Sequence, residues 1–406
     1  MMNDNLPSEL KHIVFIGRKN VGKSALINAF AGQDLSIVSD VPGTTTDPVK
    51  KLIELLPYGA VVLVDTAGID NINDLGGKRI SKTMKILSSA NFAIVVLDAR
   101  ERLSKEEIEL FVYLNKIKLP FVIAVNKIEY GINPDLLRDI KELKAIHFEI
   151  SVKEEVGLDI LKSKIIRLLP YNKETPLIKD LVKQGDIIIF VVPQELETPE
   201  GGLIPPQIQA VKEALDKQTI VIVTKESELQ SALNKLSVQP SLVVSDSRTI
   251  IRVLNEVPEG IKLTTFSILL ARQKGDLSSF IQGLKQVDKL QNGDKILIAE
   301  ACLEHPLGDD IGRIKIPMWL KQYTKKDLDI EVKSGAELPD NLADYRLIIH
   351  CGGCMLARST MISRLKLAAL MDIPVVNYGI LISYIHGAIP RALLPFKEAI
   401  NAFNNY

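Results

Sequence analysis

The three cysteines of this 406-residue chain are the residues whose types and spacing most clearly suggest chemistry. Cys302 stands alone, whereas Cys351 and Cys354 form a Cys-x-x-Cys motif. A disulfide framework needs paired cysteines and a four-thiolate zinc site needs one more ligand, so three thiols complete neither arrangement. Iron–sulfur clusters are held mainly by thiolates, and one iron can be left to another ligand. The inventory favours an iron–sulfur cluster, with a redox dithiol and a zinc site as alternatives.

Apolar runs typical of buried parallel strands stand directly before these cysteines. Residues 295–300 precede the first, residues 345–349 precede the motif, a helix is predicted over residues 355–371, and a further strand over 372–376. Open α/β sheets bind ligands at the carboxyl ends of their strands. A helix amino terminus at that edge also favours thiolate over thiol. The sequence therefore predicts thiols at the ligand-binding edge of a βαβ unit.

A phosphate-binding loop is the second motif that suggests chemistry. Residues 17–24 read Gly-Arg-Lys-Asn-Val-Gly-Lys-Ser, between a predicted strand at 11–16 and a predicted helix at 25–31. The glycines let backbone N–H groups surround phosphates, while Lys23 would reach the β- and γ-phosphates and Ser24 would ligate Mg²⁺. The predicted nucleotide contacts of this loop are Gly17, Asn20, Val21, Gly22, Lys23, Ser24 and Ala25.

The metal and γ-phosphate elements of a GTPase follow in the order such a protein needs. A short apolar strand leads to Asp65, which would hold Mg²⁺ through water, and to Gly68, whose N–H would sense the γ-phosphate. The polar stretch before that strand contains Thr44, Thr45 and Thr46. We expect one of these threonines to bring its hydroxyl onto the metal.

The base-reading elements come next, after predicted strands at residues 92–97, 121–125 and 147–150. They resemble those of translation-factor-type GTPases, whose pattern is Asn-Lys-x-Asp, whereas this chain has a glutamate in the last position. The extra methylene must be accommodated if the carboxylate is to accept both guanine N–H donors. Guanine is the predicted base, and the residues assigned to it are Asn126, Lys127, Glu129, Ser151 and Val152.

Within the GTPases, this region is similar to the TrmE/Era group. The likeness rests on Asn20, on Gly-Thr-Thr-Thr-Asp at residues 43–47, and on Ile69, where Ras-like proteins carry a water-orienting glutamine. Resemblance to the potassium-activated members implies that Asn20 ligates K⁺, which would supply the charge that an arginine finger gives elsewhere. We expect slow GTP hydrolysis stimulated by K⁺, with Lys23, Asn20 and Thr45 as the catalytic residues.

Composition limits the class of protein and its partners. The chain is long enough for two or three domains, and 46% of its residues are hydrophobic. Basic and acidic residues balance at 50 each, which argues against nucleic acid or an anionic membrane as the main partner. No signal peptide or membrane span is predicted, and few cysteines suit a reducing compartment. We expect a cytoplasmic protein with no membrane partner and no nucleic-acid partner.

The predicted fold is α/β, with a P-loop GTPase domain followed by two smaller parallel-sheet α/β domains. These domains are predicted over residues 1–172, 178–270 and 271–406, and a linker at residues 272–276 opens the last one. The middle domain has neither histidine nor cysteine, and residues 201–206 are apolar for a loop. Because a domain without visible chemistry that carries such a stretch can be a pairing surface, we expect a homodimer through it.

The combination of these domains resembles the FeFe-hydrogenase maturation GTPases, the HydF family, over essentially the whole chain. The likeness is carried by the GTPase domain, the α/β domain, Cys302, a long spacer and His350-Cys351-Gly352-Gly353-Cys354. It implies a scaffold that binds a 4Fe-4S cluster through Cys302, Cys351 and Cys354 and carries a diiron precursor of the hydrogenase active site. The implied partners are two radical-SAM maturation enzymes and the apo-hydrogenase that receives the precursor.

The fourth cluster ligand departs from the family pattern. The family has Cys-x-His at the first cysteine, whereas this chain has Glu304 at that position and His305 one residue later. Glu304, His305 and His350 are all candidates. A carboxylate is an exchangeable ligand suited to an iron that accepts an incoming group, so we favour Glu304. For His350, donation to a cluster sulfur is the alternative to ligation.

The amino-terminal third alone would suggest a different function, a TrmE/Era-like GTPase in ribosome or tRNA maturation. In that interpretation the carboxyl-terminal domain would be a redox or zinc-binding module. A basic, aromatic-rich carboxyl domain would favour it. This chain has no basic excess there.

Overall fold

The computed structural model describes residues 10–32, 49–55, 59–66, 82–169, 175–193, 203–301, 311–335, 337–354 and 356–404. The chain forms two compact units. Unit 1 comprises Met1–Asn172 with Ala369–Met371, and unit 2 comprises Lys173–Ala368 with Asp372–Tyr406.

Unit 1 is built around a six-stranded sheet with the order β2-β3-β1-β4-β5-β6. Its strands are β1 (Lys11–Ile16), β2 (Val49–Leu55), β3 (Gly59–Asp65), β4 (Phe92–Asp98), β5 (Phe121–Asn126) and β6 (His147–Glu149). Its helices are α1 (Lys23–Gly32), α2 (Lys82–Ser89), α3 (Lys105–Lys116), α4 (Pro134–Glu142) and α5 (Leu158–Leu168). Strand β2 is antiparallel to β3, and the other neighbouring strands are parallel. Every residue of β4 is buried, as expected for a central parallel strand covered on both faces.

Unit 2 contains two four-stranded sheets, both parallel throughout, with the orders β10-β9-β7-β8 and β12-β11-β13-β14. The strands are β7 (Ile187–Val191), β8 (Ile220–Thr224), β9 (Leu242–Ser245), β10 (Lys262–Thr265), β11 (Lys295–Glu300), β12 (Asp329–Ser334), β13 (Leu347–His350) and β14 (Val375–Asn377). The helices are α6 (Pro205–Asp216), α7 (Leu229–Lys235), α8 (Ile250–Glu256), α9 (Phe266–Lys274), α10 (Leu277–Val287), α11 (Ile316–Thr324), α12 (Arg358–Leu370), α13 (Tyr378–Ile385) and α14 (Lys397–Asn404).

These sheets confirm the predicted fold class, a P-loop α/β domain followed by further parallel-sheet α/β structure. The two sheets of unit 2 are joined by close packing of α9 against α13. A Cβ atom added to Gly379 would lie 2.0 Å from Cβ of Ser267, so only glycine allows this approach. The guanidinium of Arg391 also donates to the backbone oxygens of Leu254, Val257 and Pro258. The division of this unit into separate domains stays a prediction.

The predicted linker at residues 272–276 is wrong, because helix α9 runs through most of it. Thr265 begins this helix by accepting a hydrogen bond from the Ile268 N–H at 3.2 Å. The helix continues to Lys274 because its apolar side chains are buried in unit 2. Asp276 then caps α10, so the connection between the two helices is only two residues long.

Among the described helices, none combines the length and apolar character needed to cross a lipid bilayer.

Candidate nucleotide site and candidate metal centre

The turn between β1 and α1 has the shape of a phosphate-binding loop, and two of its glycines are sterically required. A Cβ atom on Gly17 would lie 2.2 Å from the backbone oxygen of Val96. Gly22 has φ +99°, and a Cβ atom there would lie 2.3 Å from Nδ2 of Asn126. The loop therefore approaches the carboxyl ends of β4 and β5 as closely as backbone allows.

Lys23 begins α1, and its ammonium group folds back over the loop. The side chain is buried, and Nζ donates to the backbone oxygens of Gly17 at 2.9 Å and Arg18 at 2.7 Å. Loop carbonyls and nucleotide phosphates both offer oxygen acceptors to an ammonium group. The ammonium is thus held at the loop, where it could exchange these carbonyls for phosphate oxygens.

Ser24 and Asp65 meet at the end of β3. The Ser24 hydroxyl donates to Oδ2 of Asp65 at 2.5 Å. Oδ1 of the same carboxylate is buried and has no hydrogen-bond partner within the described part of the chain. An unsatisfied carboxylate oxygen beside a hydroxyl fits Mg²⁺, which takes few protein ligands and keeps several waters. These residues would hold the ion, which would neutralise phosphate charge.

The residues predicted to read the base come together beside the loop. Asn126 is buried, its Nδ2 donates to the Val21 backbone oxygen at 2.9 Å, and its Oδ1 accepts from the Val152 N–H at 3.1 Å. Lys127 has a left-handed backbone with φ 70° and donates from Nζ to the Asn20 backbone oxygen at 2.5 Å. The end of β5 therefore fixes the phosphate loop and the Val152 segment in one arrangement.

Glu129 and Ser151 form the other side of the base site. The Ser151 hydroxyl is the main cause that lowers the pKa of Glu129, with further contributions from Lys153 and Lys127. The carboxylate is therefore ionised at neutral pH. Its Oε2 atom is buried without a hydrogen-bond partner among the residues that the structure describes. An ionised acceptor with an unused oxygen is what two guanine N–H donors require.

Asp98 is a member of this site that the sequence analysis missed. It is buried at the end of β4, where the Arg100 guanidinium binds both carboxylate oxygens at 2.9 and 2.8 Å. Lys127 donates to the same carboxylate at 2.9 Å. The Arg100 hydrogen bonds and then Lys127 hold the pKa of Asp98 far below its usual range. A carboxylate at the last position of an apolar strand was the available sequence signal.

Some predicted site residues lie outside the described residues, so their assignments stay predictions. In the GTPase region these are Thr44, Thr45, Thr46 and Gly68. In the cysteine region these are Cys302, Glu304 and His305.

The candidate metal centre lies at the carboxyl ends of β11 and β13, which are neighbours in one sheet. The Cys351 N–H donates to the Ala299 backbone oxygen at 3.0 Å, continuing the strand pairing. The Ala301 N–H donates to Sγ of Cys351 at 3.2 Å. The backbone immediately before Cys302 thus contacts the Cys351 sulfur.

The Cys-x-x-Cys motif forms a turn in front of α12. Gly353 has φ +63°, and its backbone oxygen accepts from the Leu356 N–H at 3.0 Å. Cys354 is exposed. Helix α12 begins only at Arg358, so the predicted start at residue 355 is wrong, and the cysteines lie in a separate turn ahead of the helix.

His350 is fully engaged by protein groups. It is 1% exposed, Nδ1 lies 2.7 Å from the Cys351 backbone oxygen, and Nε2 lies 2.7 Å from Nη1 of Arg364. Because a guanidinium only donates, Nε2 accepts and Nδ1 carries the proton. Burial and then the Arg364 charge lower the pKa of His350 to about 4. Neither nitrogen retains a lone pair for iron in this arrangement.

The cysteine turn is also fastened to the end of α9 by reciprocal hydrogen bonds. Nζ of Lys274 donates to the Leu356 backbone oxygen at 2.9 Å. Nη1 of Arg358 donates in return to the backbone oxygens of Gln273 and, at 3.2 Å, Gly275. We call these three bonds the α9 clamp.

The donor set at this sheet edge suits an iron–sulfur cluster better than a hard cation. Cys351 presents a soft sulfur that receives a backbone N–H, the kind of hydrogen bond that tunes clusters. Glu300 is a buried carboxylate at this edge that the sequence analysis did not single out. It accepts hydrogen bonds from Ser334 at 3.1 Å and Arg313 at 3.5 Å. Within the described ranges no three His, Cys, Asp or Glu side chains group as a metal site.

Comparison with known proteins gives three family matches. The model of the 50S ribosome-binding GTPase matches residues 12–127. The model of the Hydrogen maturase F dimerization domain matches residues 177–275, and that of the Hydrogen maturase F tetramerization domain matches residues 278–395.

Curated relatives match part of the chain. GTPase Der of Campylobacter hominis is 33% identical over 39% of this chain and 35% of its own length. The tRNA modification GTPase MnmE of Thermoanaerobacter sp. is 34% identical over 38% of this chain and 33% of its own. The chain therefore spans about a third of the length of these relatives.

Solved structures match part of the chain at low TM-scores. Era of Aquifex aeolicus bound to GDP and aluminium fluoride has a TM-score of 0.32 and 19% identity, covering 53% of this chain and 93% of that one. The G domain of the T. maritima FeoB iron transporter has a TM-score of 0.31 and 23% identity, covering 40% of this chain and 100% of that one.

The phosphate loop, the residues at the end of β5 and the GTPase family match define a P-loop GTPase continued by two parallel-sheet α/β regions. The two Hydrogen maturase F models between them account for most of the chain after residue 176. This chain belongs to the hydrogen maturase F family, HydF, as the sequence resemblance predicted.

Proposed function

We propose that this chain is a GTP-hydrolysing iron–sulfur scaffold that assembles or delivers the diiron precursor of the FeFe-hydrogenase active site. The observation that carries the proposal is the hydrogen bond from Ala301 to the Cys351 sulfur, because it draws the backbone leading into Cys302 against the second thiol. Membership of the hydrogen maturase F family supports the same role. The recipient is the apo-hydrogenase, and two radical-SAM enzymes supply the precursor.

Cys302, Cys351 and Cys354 would hold a 4Fe-4S cluster, with Glu304 as the exchangeable fourth ligand. When bound, this cluster would supply one iron that can accept an incoming group. The chain's own contribution is to hold the thiols at one sheet edge, where the backbone around Cys351 is fixed by Ala299, Ala301 and His350. A carboxylate fourth ligand fits this role because it releases iron more readily than a thiolate does.

The GTPase unit would control exchange of the scaffold with its partners rather than chemistry on the cluster. Lys23, Asn20 and Thr45 are the proposed catalytic residues, and Asn20 would ligate K⁺. The Asn20 backbone is held by Lys127 in a left-handed conformation with φ 63°, and the residue is exposed. Its position at the rim of the loop suits a cation placed against the nucleotide phosphates.

The chain is further proposed to be a homodimer that pairs through residues 178–270. Strand β8 lies at one end of its sheet order, and on it Ile220 is 56% and Val223 is 44% exposed. An exposed edge strand with apolar side chains favours pairing with a second copy. The match to a dimerization domain over this region supports the proposal. Light scattering at micromolar concentration should give at least the dimer mass, and a monomer would contradict it.

Iron and acid-labile sulfide analysis of anaerobically prepared protein tests the central proposal. We expect about four irons and four sulfides per chain in the wild type. Cys302→Ala, Cys351→Ala and Cys354→Ala should each lose most of the cluster absorption, whereas Glu304→Ala should retain it because three thiolates remain. Zinc without sulfide would contradict the scaffold. A disulfide that forms reversibly between Cys351 and Cys354 in protein without iron would contradict it as well. Either would favour a ribosome- or tRNA-related GTPase with a zinc or redox domain.

A transfer assay tests delivery. The scaffold, loaded by the two radical-SAM enzymes and repurified, should activate apo-hydrogenase in a cell-free mixture. Protein prepared without those enzymes, carrying only its own cluster, is the control and should give no hydrogen evolution. Activation by both preparations would show that the chain carries no diiron precursor. The cytoplasmic location stays a prediction, which fractionation of cells would check.

A further inference from the structure

We infer that Arg364 is a positioning residue for the cysteine turn, acting through His350 and Gly335. Arg364 belongs to α12, well outside the Cys-x-x-Cys motif, and is 4% exposed. Its Nη1 lies 2.7 Å from Nε2 of His350, and its Nη2 donates to the Gly335 backbone oxygen. One guanidinium thereby joins α12 to the end of β13 and to the residue that follows β12.

The guanidinium and the Cys351 carbonyl together fix the tautomer and the orientation of the imidazole. Arginine has no acceptor, so Nε2 of His350 must accept and Nδ1 must donate. The recipient of the Nδ1 proton is the Cys351 backbone oxygen, 2.7 Å away. Without Arg364 the Nε2 lone pair would lose its donor and the ring would lose one of its two hydrogen bonds, while the Cys351 carbonyl would still favour the proton on Nδ1.

The Cys351 peptide groups are held from several sides by this arrangement. Asn377, which ends β14, contributes a weaker bond from Nδ2 to the Cys351 oxygen at 3.4 Å. The Cys351 N–H donates to the backbone oxygen of Ala299. With both backbone groups fixed, the Cα–Cβ bond points the sulfur toward the Ala301 N–H. The direction of this ligand is therefore set by a residue thirteen positions further along the chain.

A buried guanidinium also places positive charge at this edge. Burying a cation is costly unless an opposite charge compensates it. Burial lowers the pKa of Arg364, and the adjacent Cys351 sulfur acts in the opposite direction. Thiolates bound to iron would supply the compensating negative charge, and the cation would favour the reduced, more negative cluster. This part rests on the proposed cluster.

The first test needs no metal. The ¹⁵N NMR signals of histidine are recorded for full-length apo-protein, for the variants Arg364→Met and Arg364→Lys, and for the control Arg391→Met. The His350 signal is assigned by its loss in His350→Gln. Arg391 is a suitable control because it too binds backbone oxygens in unit 2, those of Leu254, Val257 and Pro258. Wild type and Arg391→Met should show the Nδ1–H tautomer. In Arg364→Met the ¹⁵N signal of His350 Nε2 should move toward the position of an acceptor without a hydrogen bond, and an unchanged Nε2 signal would overturn the inference.

The second test uses the reconstituted protein and measures the midpoint potential and electron paramagnetic resonance spectrum of the cluster. Arg364→Met should retain iron at a more negative potential with altered g-values, because the cation is lost. Arg364→Lys keeps the charge and should restore much of the potential, while Arg391→Met should match the wild type. An unchanged potential in Arg364→Met would overturn the electrostatic role. If the wild type binds no cluster, the proposed function fails, but the ¹⁵N-histidine experiment still decides the role of Arg364.

Discussion

The backbone N–H of Ala301 donates a hydrogen bond to Sγ of Cys351 over 3.2 Å. The two residues are fifty positions apart in sequence, yet they follow neighbouring strands that end at the same level. Parallel pairing of β11 with β13 therefore brings Cys351 next to the backbone that leads into Cys302. The sulfur therefore accepts a hydrogen bond from the protein backbone itself.

Removing this donor should weaken the cluster site. Ala301→Pro deletes the N–H, and a hydrogen bond to a charged acceptor contributes about 1.5–3 kcal/mol. We expect faster iron loss to a chelator and a more negative midpoint potential. Ala301→Gly keeps the N–H and is the matched control, with circular dichroism to verify that both variants fold. Equal iron retention in the two variants would show that the bond has no role in holding metal.

Gly22→Ala should disrupt nucleotide binding. The added Cβ would collide with the Asn126 amide at 2.3 Å, and φ +99° is unfavourable for alanine. Backbone strain of this kind costs about 1–3 kcal/mol. Calorimetric titration with GTP should show at least about tenfold weaker binding, the equivalent of 1.4 kcal/mol. Gly32→Ala, at the end of α1 with nothing within 4 Å of its Cβ, should bind GTP as the wild type does. Similar affinities would contradict the packing argument.

Asn20→Ala should abolish the effect of potassium on GTP hydrolysis. If Asn20 ligates K⁺, the wild type will hydrolyse GTP faster in KCl than in NaCl, and the variant will show the slow rate in both. Phosphate release at matched ionic strength measures this. Lys19→Ala is the control, since Lys19 is the exposed neighbour and should leave the ratio of the two rates unchanged. Equal rates of the wild type in the two salts would remove Asn20 from this role.

Glu129 should accept guanine donors as a carboxylate. Glu129→Gln lacks the charge and should lose about 1.5–3 kcal/mol of GTP affinity, whereas Glu129→Asp restores the usual family residue and should keep selectivity over ATP. The pKa of Glu129 is depressed below its ordinary 4.5, so the ionised form persists in the folded protein. The loss of wild-type affinity on acidification should therefore have its midpoint below 4.5. A midpoint above this value would contradict the assignment.

Local sequence patterns were sufficient for several of the strands and for the phosphate loop. The run that became β11 is apolar throughout, and its predicted bounds match the strand Lys295–Glu300. The prediction of a linker between β10 and α10 was wrong, because the charged and polar residues there belong to the end of a helix. Burial of one apolar face keeps α9 helical to Lys274, and burial depends on tertiary packing that composition does not reveal.

The missed site residues have partners that are distant in sequence. Asp98 binds Lys127, and Arg364 binds His350, through contacts that exist only once the strands are paired. His350 illustrates the same limit from the other direction. Its position near two cysteines suggested that it ligates iron or donates to a cluster sulfur. In the structure both ring nitrogens instead form hydrogen bonds with protein groups.

The α9 clamp has a consequence for how this part of the molecule can be divided. The border between the two Hydrogen maturase F models falls between residues 275 and 278, yet Lys274 and Arg358 tie the two sides of that border together. A fragment cut at the border would sever the ties that hold the cysteine turn. Two segments matched by separate family models are thus joined at their border by side-chain hydrogen bonds, so a displacement of the end of α9 would be transmitted to the turn that carries Cys351 and Cys354.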